Sequence, residues 1–494
     1  MQKKFLKNLV LLLVLNLLVK PFWILGVDRQ VFNVVGVEDY GFYFTVFNFS
    51  MLFTVLLDLG INSFNNRNIA QNNKLLSKHL AGIGTLKIML GVFYSVIVLL
   101  SGYLIGYRGY QMKLLAMVAF NQILLSFILY LRTNVSGLLL FTIDSFLSVL
   151  DRLLMILIVG TLLWTGIAKG KFNIEWFVFS QTVAYLITFV IALFVVLYHS
   201  GKLRFNWNVA FYILILKKSF PFALLALLMS FYNRIDPVLI ERMLPGTQGD
   251  YQSGIYSAAF RLLDAGQNFA YLFAVLLLPL FAKMIKEKQN IESLLNLSFS
   301  LIITASLIIA AVSLFYAEKL MLLMYHPNTG ESAVDFQLRI LESANVFRVL
   351  MFSFVAISTN YIFGTLLTAN NSLKLLNIIA LGGLIINIVV NILLIPEYKA
   401  YGSSYASLAS QVLTGGLNMI VAYHIFRIKP NWSLWARIVI VFILTGAAAW
   451  WVNNFTEMRL FPSLSLSLSI GLVSAFIFKL VNVREIIIIL KSKE

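Results

Sequence analysis

Long apolar runs separated by short polar stretches dominate the chain from end to end. A helix needs about 20 mainly apolar residues to cross the hydrocarbon core of a bilayer, and the sequence offers fourteen such segments. No polar stretch between them is long enough to form a separate soluble domain. The apolar segments are residues 5–26, 41–64, 81–105, 114–134, 142–165, 176–199, 220–240, 254–281, 293–316, 344–369, 373–395, 402–426, 434–453 and 461–480.

The composition agrees with this pattern. The chain has 494 residues, of which 60% are hydrophobic and only 12% are charged, and it contains no cysteine. Soluble domains carry about twice that share of charge. The sequence therefore predicts an all-α integral membrane protein with about fourteen transmembrane helices.

The net charge of +17 has two explanations. It could indicate a nucleic-acid partner, but basic residues also concentrate in the cytoplasmic connections of membrane proteins. Here they favour every second connection, and the acidic residues favour the others. We therefore expect a multi-pass protein with both termini in the cytoplasm and no nucleic-acid partner. Basic groups on two successive inner connections are Lys202, Arg204, Lys217 and Lys218, then Lys283, Lys286 and Lys288.

A weak repeat predicts the domain organisation. Lys20 is followed by Gly41-Phe42-Tyr43, and Arg234 is followed at nearly the same interval by Gly254-Ile255-Tyr256. Two six-helix halves in the same orientation explain the match, and such repeats are a transporter architecture; chance similarity in a biased composition is the alternative. The predicted parts are an N-terminal lobe at 1–199, an interfacial amphipathic linker at 200–219, a C-terminal lobe at 220–427, and two appended helices with a cytoplasmic tail at 428–494.

Charged residues inside the apolar segments are the candidate site residues, because a charge at membrane depth costs about 2.5–3.5 kcal/mol on insertion scales. Lys87 and Arg348 lie near segment ends, where we expect them to snorkel to the interface. The deeper cations are candidates for binding substrate, and the acids Asp58, Asp236 and Asp264 are candidates for ion coupling or charge pairing. The four deep cations are Lys20, Arg152, Arg234 and Arg261.

Ion pairing is the structural alternative to substrate binding. Arg261 and Asp264 are three residues apart and can pair on one helix face, whereas the adjacent Asp151 and Arg152 point in different directions and should be poor partners. Cations outnumber acids in the segments, so pairing would leave a mildly cationic cavity. Arginine offers forked donors to phosphate oxygens, and a diphosphate is the expected guest. The four histidines are scattered, and no metal site or nucleotide-binding glycine loop is present.

Several motifs, in their order along the whole chain, resemble the polysaccharide transporter (O-antigen flippase) family of the multidrug/oligosaccharidyl-lipid/polysaccharide exporter superfamily. Each motif is loose, so the order and spacing carry the resemblance. Ser403-Ser404 depart from the glycine-alanine pair usual in the family. The matching stretches are 35–43, 57–60, 65–68, 221–222, 232–236, 254–257, 261–264, 387–396 and 401–402.

The resemblance implies two six-helix lobes that form a V around a central, often cationic cavity, plus two C-terminal helices. It implies a flippase, not an enzyme, which moves an undecaprenyl-diphosphate-linked oligosaccharide across the bacterial cytoplasmic (inner) membrane by alternating access. Membrane lipids and a polysaccharide polymerase are further expected partners. No cofactor is expected, while H⁺, Na⁺ or the membrane potential could drive transport. The alternatives are a cation-coupled multidrug exporter of the same superfamily and a polysaccharide polymerase or ligase.

Overall fold

The computed structural model describes residues 14–16, 18–62, 65–66, 69, 72, 76–168, 170–200 and 209–481. Helices make up nearly all of this part of the chain. A π-helical turn at Trp23–Asp28 precedes the first labelled helix, and a 3₁₀ turn at Thr54–Leu57 follows the second. The α-helices are α1 Arg29–Val35, α2 Val37–Leu52, α3 Leu76–Leu104, α4 Gly109–Gly137, α5 Phe141–Trp164, α6 Ile174–Ser200, α7 Val209–Arg234, α8 Asp236–Met243, α9 Thr247–Lys286, α10 Glu292–Met324, α11 Ala333–Ala369, α12 Leu373–Phe426, α13 Trp432–Phe455 and α14 Leu460–Ile477.

The described helices correspond to the predicted apolar segments, with one difference at 41–64; residues 5–13 and 17 of the first predicted segment, and 482–494 of the predicted tail, lie outside the described residues. Ten are long and apolar enough to cross a membrane, and α7 with α8 forms an eleventh candidate across a 49° bend. The stretch labelled α12 consists of two helices joined at Lys399 (φ 53°, ψ −132°), and these two helices match the predicted segments 373–395 and 402–426. The predicted single span at 41–64 is wrong as a continuous helix, since α2 ends at Leu52 and the backbone breaks before Ile61.

The chain divides into two compact units, an N-terminal unit at Met1–Gly254 and a C-terminal unit at Ile255–Glu494. The predicted lobe boundaries at 199, 219 and 427 stay predictions about the repeat. Within the predicted linker, residues 201–208 lie outside the described residues, while 209–219 form the start of α7. The placement of this segment at the membrane interface also stays a prediction.

Two glycines of the predicted repeat bring backbones together in the N-terminal unit. A Cβ atom on Gly41 of α2 would lie 2.0 Å from the Asp250 carbonyl oxygen, and one on Gly254 of α9 would lie 2.1 Å from the Val37 carbonyl oxygen. The Ser253 hydroxyl also donates to the Gly41 carbonyl at 3.2 Å. Small residues allow this approach, so no other residue type fits at either glycine without moving backbone.

Helix α14 packs through a stripe of small residues in the C-terminal unit. Ser463 and Ser467 are buried on it, and the Ser467 hydroxyl lies 3.2 Å from that of Tyr316 on α10. A Cβ atom on Gly471 would lie 2.9 Å from the Thr445 hydroxyl oxygen on α13. Van der Waals packing of small side chains is the expected mode of association between helices in lipid, so the two C-terminal helices belong to this unit.

Candidate functional site

Lys20 and Arg152, two of the four predicted substrate-binding cations, lie together in the N-terminal unit. Asn16, one turn before Lys20, donates to the Ser148 hydroxyl at 3.0 Å and fixes the first helical segment against α5. One turn further along both helices, the Lys20 ammonium is within electrostatic range of Arg152, Asp151 and Arg132. Lys20 is half-buried. The structure thus gathers these cations, with nearby acids, into one group, which we call the cationic cluster.

Aromatic and acidic side chains surround Arg152. Its guanidinium lies 5.8 Å from the centre of the Trp23 ring and donates to the Met155 sulfur at 3.4 Å, with Tyr185 within electrostatic range. Its Nε atom is 3.6 Å from an Asp151 carboxylate oxygen. The expectation that these neighbours in sequence are poor partners holds for hydrogen bonding, although their side chains approach each other as an ion pair. At 3.6 Å the contact is longer than a hydrogen bond.

Arg132 is a member of the cluster that the sequence analysis missed. It forms a forked ion pair with Asp144, at 2.8 Å and 3.5 Å. Arg132 lies within the predicted segment 114–134, two residues from its end. A charged residue inside an apolar segment meets the criterion for a candidate, so the sequence contains the signal for Arg132. Trp23 and Tyr185 were also missed, and aromatic residues are too common in this chain to give a signal.

Lys20 differs from the two arginines of the cluster, because the described part of the chain shows no hydrogen bond from its ammonium. Arg132 pairs with Asp144, and Arg152 contacts the Asp151 carboxylate and the Met155 sulfur. Lys20 makes no hydrogen bond or ion pair with any residue in the part of the chain that the structure describes, although an ammonium has three donors. The cluster therefore has unused hydrogen-bonding capacity and a partly exposed positive group, and its chemistry suits an anion with several oxygen atoms.

The backbone beside the cluster is irregular. Pro21 follows Lys20, and the π-helical turn Trp23–Asp28 starts two residues later. π-Helical turns occur frequently at functional sites. Here the turn carries Trp23 beneath Arg152, and it places buried Asp28 where its carboxylate accepts a 2.8 Å hydrogen bond from the Tyr40 hydroxyl.

Arg234 and Asp236 lie at the bend between α7 and α8, in the same unit. Arg234 is half-buried and its guanidinium is 3.4 Å from the Asn48 side-chain oxygen on α2. Asp236 is 1% exposed. Ser230, one turn before Arg234, donates to the Met51 carbonyl at 3.0 Å, which holds the bend against α2.

Asp58 lies elsewhere in the N-terminal unit and pairs with Lys87, at 3.1 Å. Lys87 is 1% exposed, so the expectation that it snorkels to the interface is wrong. Its ammonium stays inside because oxygen atoms of α4 and of the chain after α2 surround it.

Arg261 and Asp264 lie on α9 in the C-terminal unit. Both are half-buried, and the Asp264 carbonyl accepts a 2.8 Å hydrogen bond from Asn268 one turn later. Their predicted roles stay predictions. Arg348, the other cation expected to snorkel, donates to the Leu314 carbonyl of α10 at 3.0 Å.

Solved structures of membrane transporters share this fold. The lipid II flippase MurJ, in an inward closed conformation, aligns with a TM-score of 0.69 at 15% identity, over 97% of this chain and 100% of that chain. An inward-facing multidrug resistance MATE transporter of the MOP superfamily aligns with a TM-score of 0.61 at 15% identity, over 84% and 94%. A MOP superfamily transporter from Pyrococcus furiosus, described by a binding pocket of reversed polarity, aligns with 0.59 at 15%, over 85% and 96%.

These likenesses confirm the predicted all-α membrane transporter fold. No curated protein matches the sequence. The sequence model of the family described as polysaccharide biosynthesis protein matches residues 5–285, which is more than half of the 494 residues. With this match and the fold of MOP superfamily transporters, the chain belongs to the polysaccharide biosynthesis protein family.

Proposed function

We propose that this protein is a flippase that moves an undecaprenyl-diphosphate-linked oligosaccharide from the inner to the outer leaflet of the bacterial cytoplasmic membrane. Membership of a polysaccharide biosynthesis family supports a glycan cargo. The observation that carries the proposal is the cationic cluster, in which half-buried Lys20 follows by one turn the Asn16–Ser148 contact to α5, the helix that carries Arg152. Both termini face the cytoplasm in this proposal.

A diphosphate complements this cluster in charge and in hydrogen bonding. Its oxygen atoms accept from the guanidinium fork of Arg152 and from the ammonium of Lys20. A cation with unused donors at membrane depth is costly, so an anionic guest recovers part of that cost. Binding is strongest when the diphosphate is present and weak for a neutral lipid.

The membrane potential is one source of drive in this mechanism of alternating access. Moving one charge through 100 mV is worth about 2.3 kcal/mol, and a dianion leaving a negative interior gains roughly twice that. H⁺ or Na⁺ coupling through Asp236 or Asp264 is the competing source. Flipping is measured in vesicles with an imposed membrane potential, then with an imposed H⁺ gradient and then with an imposed Na⁺ gradient. The condition that accelerates flipping identifies the energy source.

The test is transport in reconstituted vesicles. A polyprenyl-diphosphate-linked oligosaccharide is loaded in one leaflet, and an impermeant oxidant such as periodate reports the fraction of glycan that reaches the other. Lys20→Met and Arg152→Met should each reduce the rate at least tenfold, since a charge-assisted hydrogen bond contributes about 1.5–3 kcal/mol. Lys113→Gln, which changes a cation that is 59% exposed, is the control and should transport normally.

Normal flipping by the double variant Lys20→Met/Arg152→Met would refute the role of the cluster. A multidrug exporter would instead extrude cationic dyes and ignore the lipid-linked glycan. A polymerase or ligase would lengthen or transfer the glycan in these vesicles, which chromatography of the extracted lipids would detect.

A further inference from the structure

The helix that begins with α2 breaks inside the predicted membrane segment 41–64. After the 3₁₀ turn at Thr54–Leu57, Leu59 and Gly60 adopt left-handed conformations with φ of 46° and 81°. In a regular helix the Ile61 N–H would donate to the Leu57 carbonyl, but here it donates to the Asp58 carbonyl at 2.9 Å. The break therefore leaves the Leu57 carbonyl without its helical donor, in an apolar environment where such a group must find a partner.

Lys87 on α3 supplies that partner together with Ser126, whose hydroxyl also donates to the Leu57 carbonyl at 3.2 Å. Its ammonium donates to the Leu57 carbonyl at 2.8 Å, to the Asp58 carboxylate at 3.1 Å and to the Ser126 hydroxyl at 3.0 Å. An ammonium has three N–H donors, and all three are used. The Asp58 oxygen that accepts from Lys87 also accepts the Asn62 N–H at 3.1 Å, so the carboxylate orders the chain after the break.

These three oxygen atoms are the kind of ligand set that binds a hard metal cation. Carboxylates, carbonyls and hydroxyls serve this purpose in proteins, and transporters coordinate Na⁺ or H⁺ with the carbonyls of unwound helices. We propose that the Lys87 ammonium is a resident cation that fills such a site at the break after α2. It neutralises Asp58, positions the carboxylate and the Leu57 carbonyl, and excludes a diffusible ion from both.

The consequence goes beyond the proposed transport. Asp58 was a candidate for ion coupling, and although its side chain is 34% exposed, the tethered cation leaves no place for a coupling ion among these three oxygen atoms. Any coupling by H⁺ or Na⁺ then uses other groups, and Lys87 is a positioning residue. This assignment can be tested without substrate, so its failure and the failure of the proposed function are distinguishable.

The experiment measures thermal unfolding of the purified full chain in detergent, in choline, sodium, potassium or ethylammonium chloride. The variants are Lys87→Ala and Lys87→Ala/Asp58→Asn, with Lys113→Ala as the control at an exposed lysine. Lys87→Ala should lower Tm by several degrees in choline chloride, because it leaves the carboxylate and the carbonyl without a cation. Ethylammonium, which restores both the charge and part of the removed side chain, should recover most of the loss, and potassium or sodium should recover some.

Recovery should disappear in the double variant, which has no carboxylate, and Lys113→Ala should show neither loss nor recovery. A loss that no cation restores would overturn the proposal, because it would reduce Lys87 to a packing role. Stabilisation of the unmodified protein by sodium or potassium that Asp58→Asn removes would also overturn it. If Lys87→Ala folds poorly, the yield of folded protein purified in ethylammonium against choline replaces Tm as the measurement.

Discussion

Two lysines at membrane depth in the N-terminal unit have opposite surroundings. Lys87 is 1% exposed and its ammonium is saturated by three oxygen acceptors. Lys20 is half-buried beside another cation and makes no hydrogen bond or ion pair within the described ranges. Removing one partner of a buried ion pair is strongly destabilising, whereas a cation with unused donors is free to bind a guest. The number of donors left unsatisfied, and not depth alone, distinguishes a structural cation from a candidate for substrate binding.

The largest expected effect on transport comes from a substitution that gives Arg152 an internal carboxylate partner, as Asp58 is for Lys87. Buried Met155 lies next to Arg152, with its sulfur 3.4 Å from the guanidinium. Met155→Glu would give Arg152 an internal carboxylate, which competes with an anionic guest. We expect flipping to fall about 10–100-fold, in line with about 1.5–3 kcal/mol for a hydrogen bond to a charged group, while the protein remains folded.

Met155→Gln, of similar size and without charge, is the matched control and should transport at more than half the normal rate. Equal transport by the glutamate and glutamine variants in the vesicle assay would show that the donors of Arg152 are not used for substrate. The number of unsatisfied donors would then fail to distinguish a substrate-binding cation from a structural one.

The sequence predicts part of this contrast. The apolar periodicity gives the helices, and insertion cost singles out the charged positions, because both depend on composition along the chain. The sequence alone cannot show which oxygen atoms surround a cation in the folded protein. Lys87 was misassigned because its main acceptor, the Leu57 carbonyl, becomes available only through a backbone break that the apolar run 41–64 conceals.

The cluster shows the same limit in a different way. Lys20 and Arg152 were identified separately, but their proximity depends on the pairing of two helices far apart in the sequence. Ideal helix directions do not predict the Asp151–Arg152 contact, yet the two side chains form a long ion pair at 3.6 Å. Side-chain packing decides both the proximity of Lys20 to Arg152 and the contact of Asp151 with Arg152. It produces no periodic pattern that could be recognised in the sequence.

A substitution that disturbs packing without changing charge separates loss of stability from loss of substrate binding. Its expected effect is the next largest. Gly41→Ala would place Cβ 2.0 Å from the Asp250 carbonyl oxygen, and overpacking costs about 1–3 kcal/mol or more. Both unfolding temperature and flipping should fall, unlike in the cluster variants, which should lose transport alone. Gly84→Ala is the control, since nothing lies within 4 Å of its added Cβ. A normal Tm for Gly41→Ala would contradict the contact between these backbones.

Arg339 provides a second buried cation that is paired with a carboxylate, and a test by pH. It is 2% exposed and donates to both carboxylate oxygens of Glu331 and to the His326 carbonyl, each at 2.8 Å. Burial alone would raise the pKa of Glu331, but hydrogen bonds from Arg339 and the Asn328 N–H, with the arginine charge, outweigh it and leave this pKa below its ordinary value of 4.5.

A lowered pKa in the folded state means that the pair contributes its full stability above the unfolded value. That contribution decreases as the pH falls through the folded value. Glu331→Gln should therefore destabilise the protein by about 2 kcal/mol at neutral pH, and the difference from the unmodified protein should shrink in acid. Glu318→Gln, at an exposed acid, should have no such profile. A difference that is constant with pH in thermal melts would rule out the carboxylate as its source.

The smallest effect is expected at an ion pair that has an equally short distance but is exposed to water. Lys113 and Glu175 form an ion pair at 2.8 Å, the same distance as Lys87 to the Leu57 carbonyl, yet their side chains are 59% and 34% exposed. Exposed pairs contribute about 0–1 kcal/mol and are screened by salt. Lys113→Gln and Glu175→Gln should each leave Tm and flipping nearly unchanged, and the double variant should match the singles. A coupling between the two above about 1 kcal/mol would mean that distance, and not the removal of water, decides how much a cation in this protein contributes.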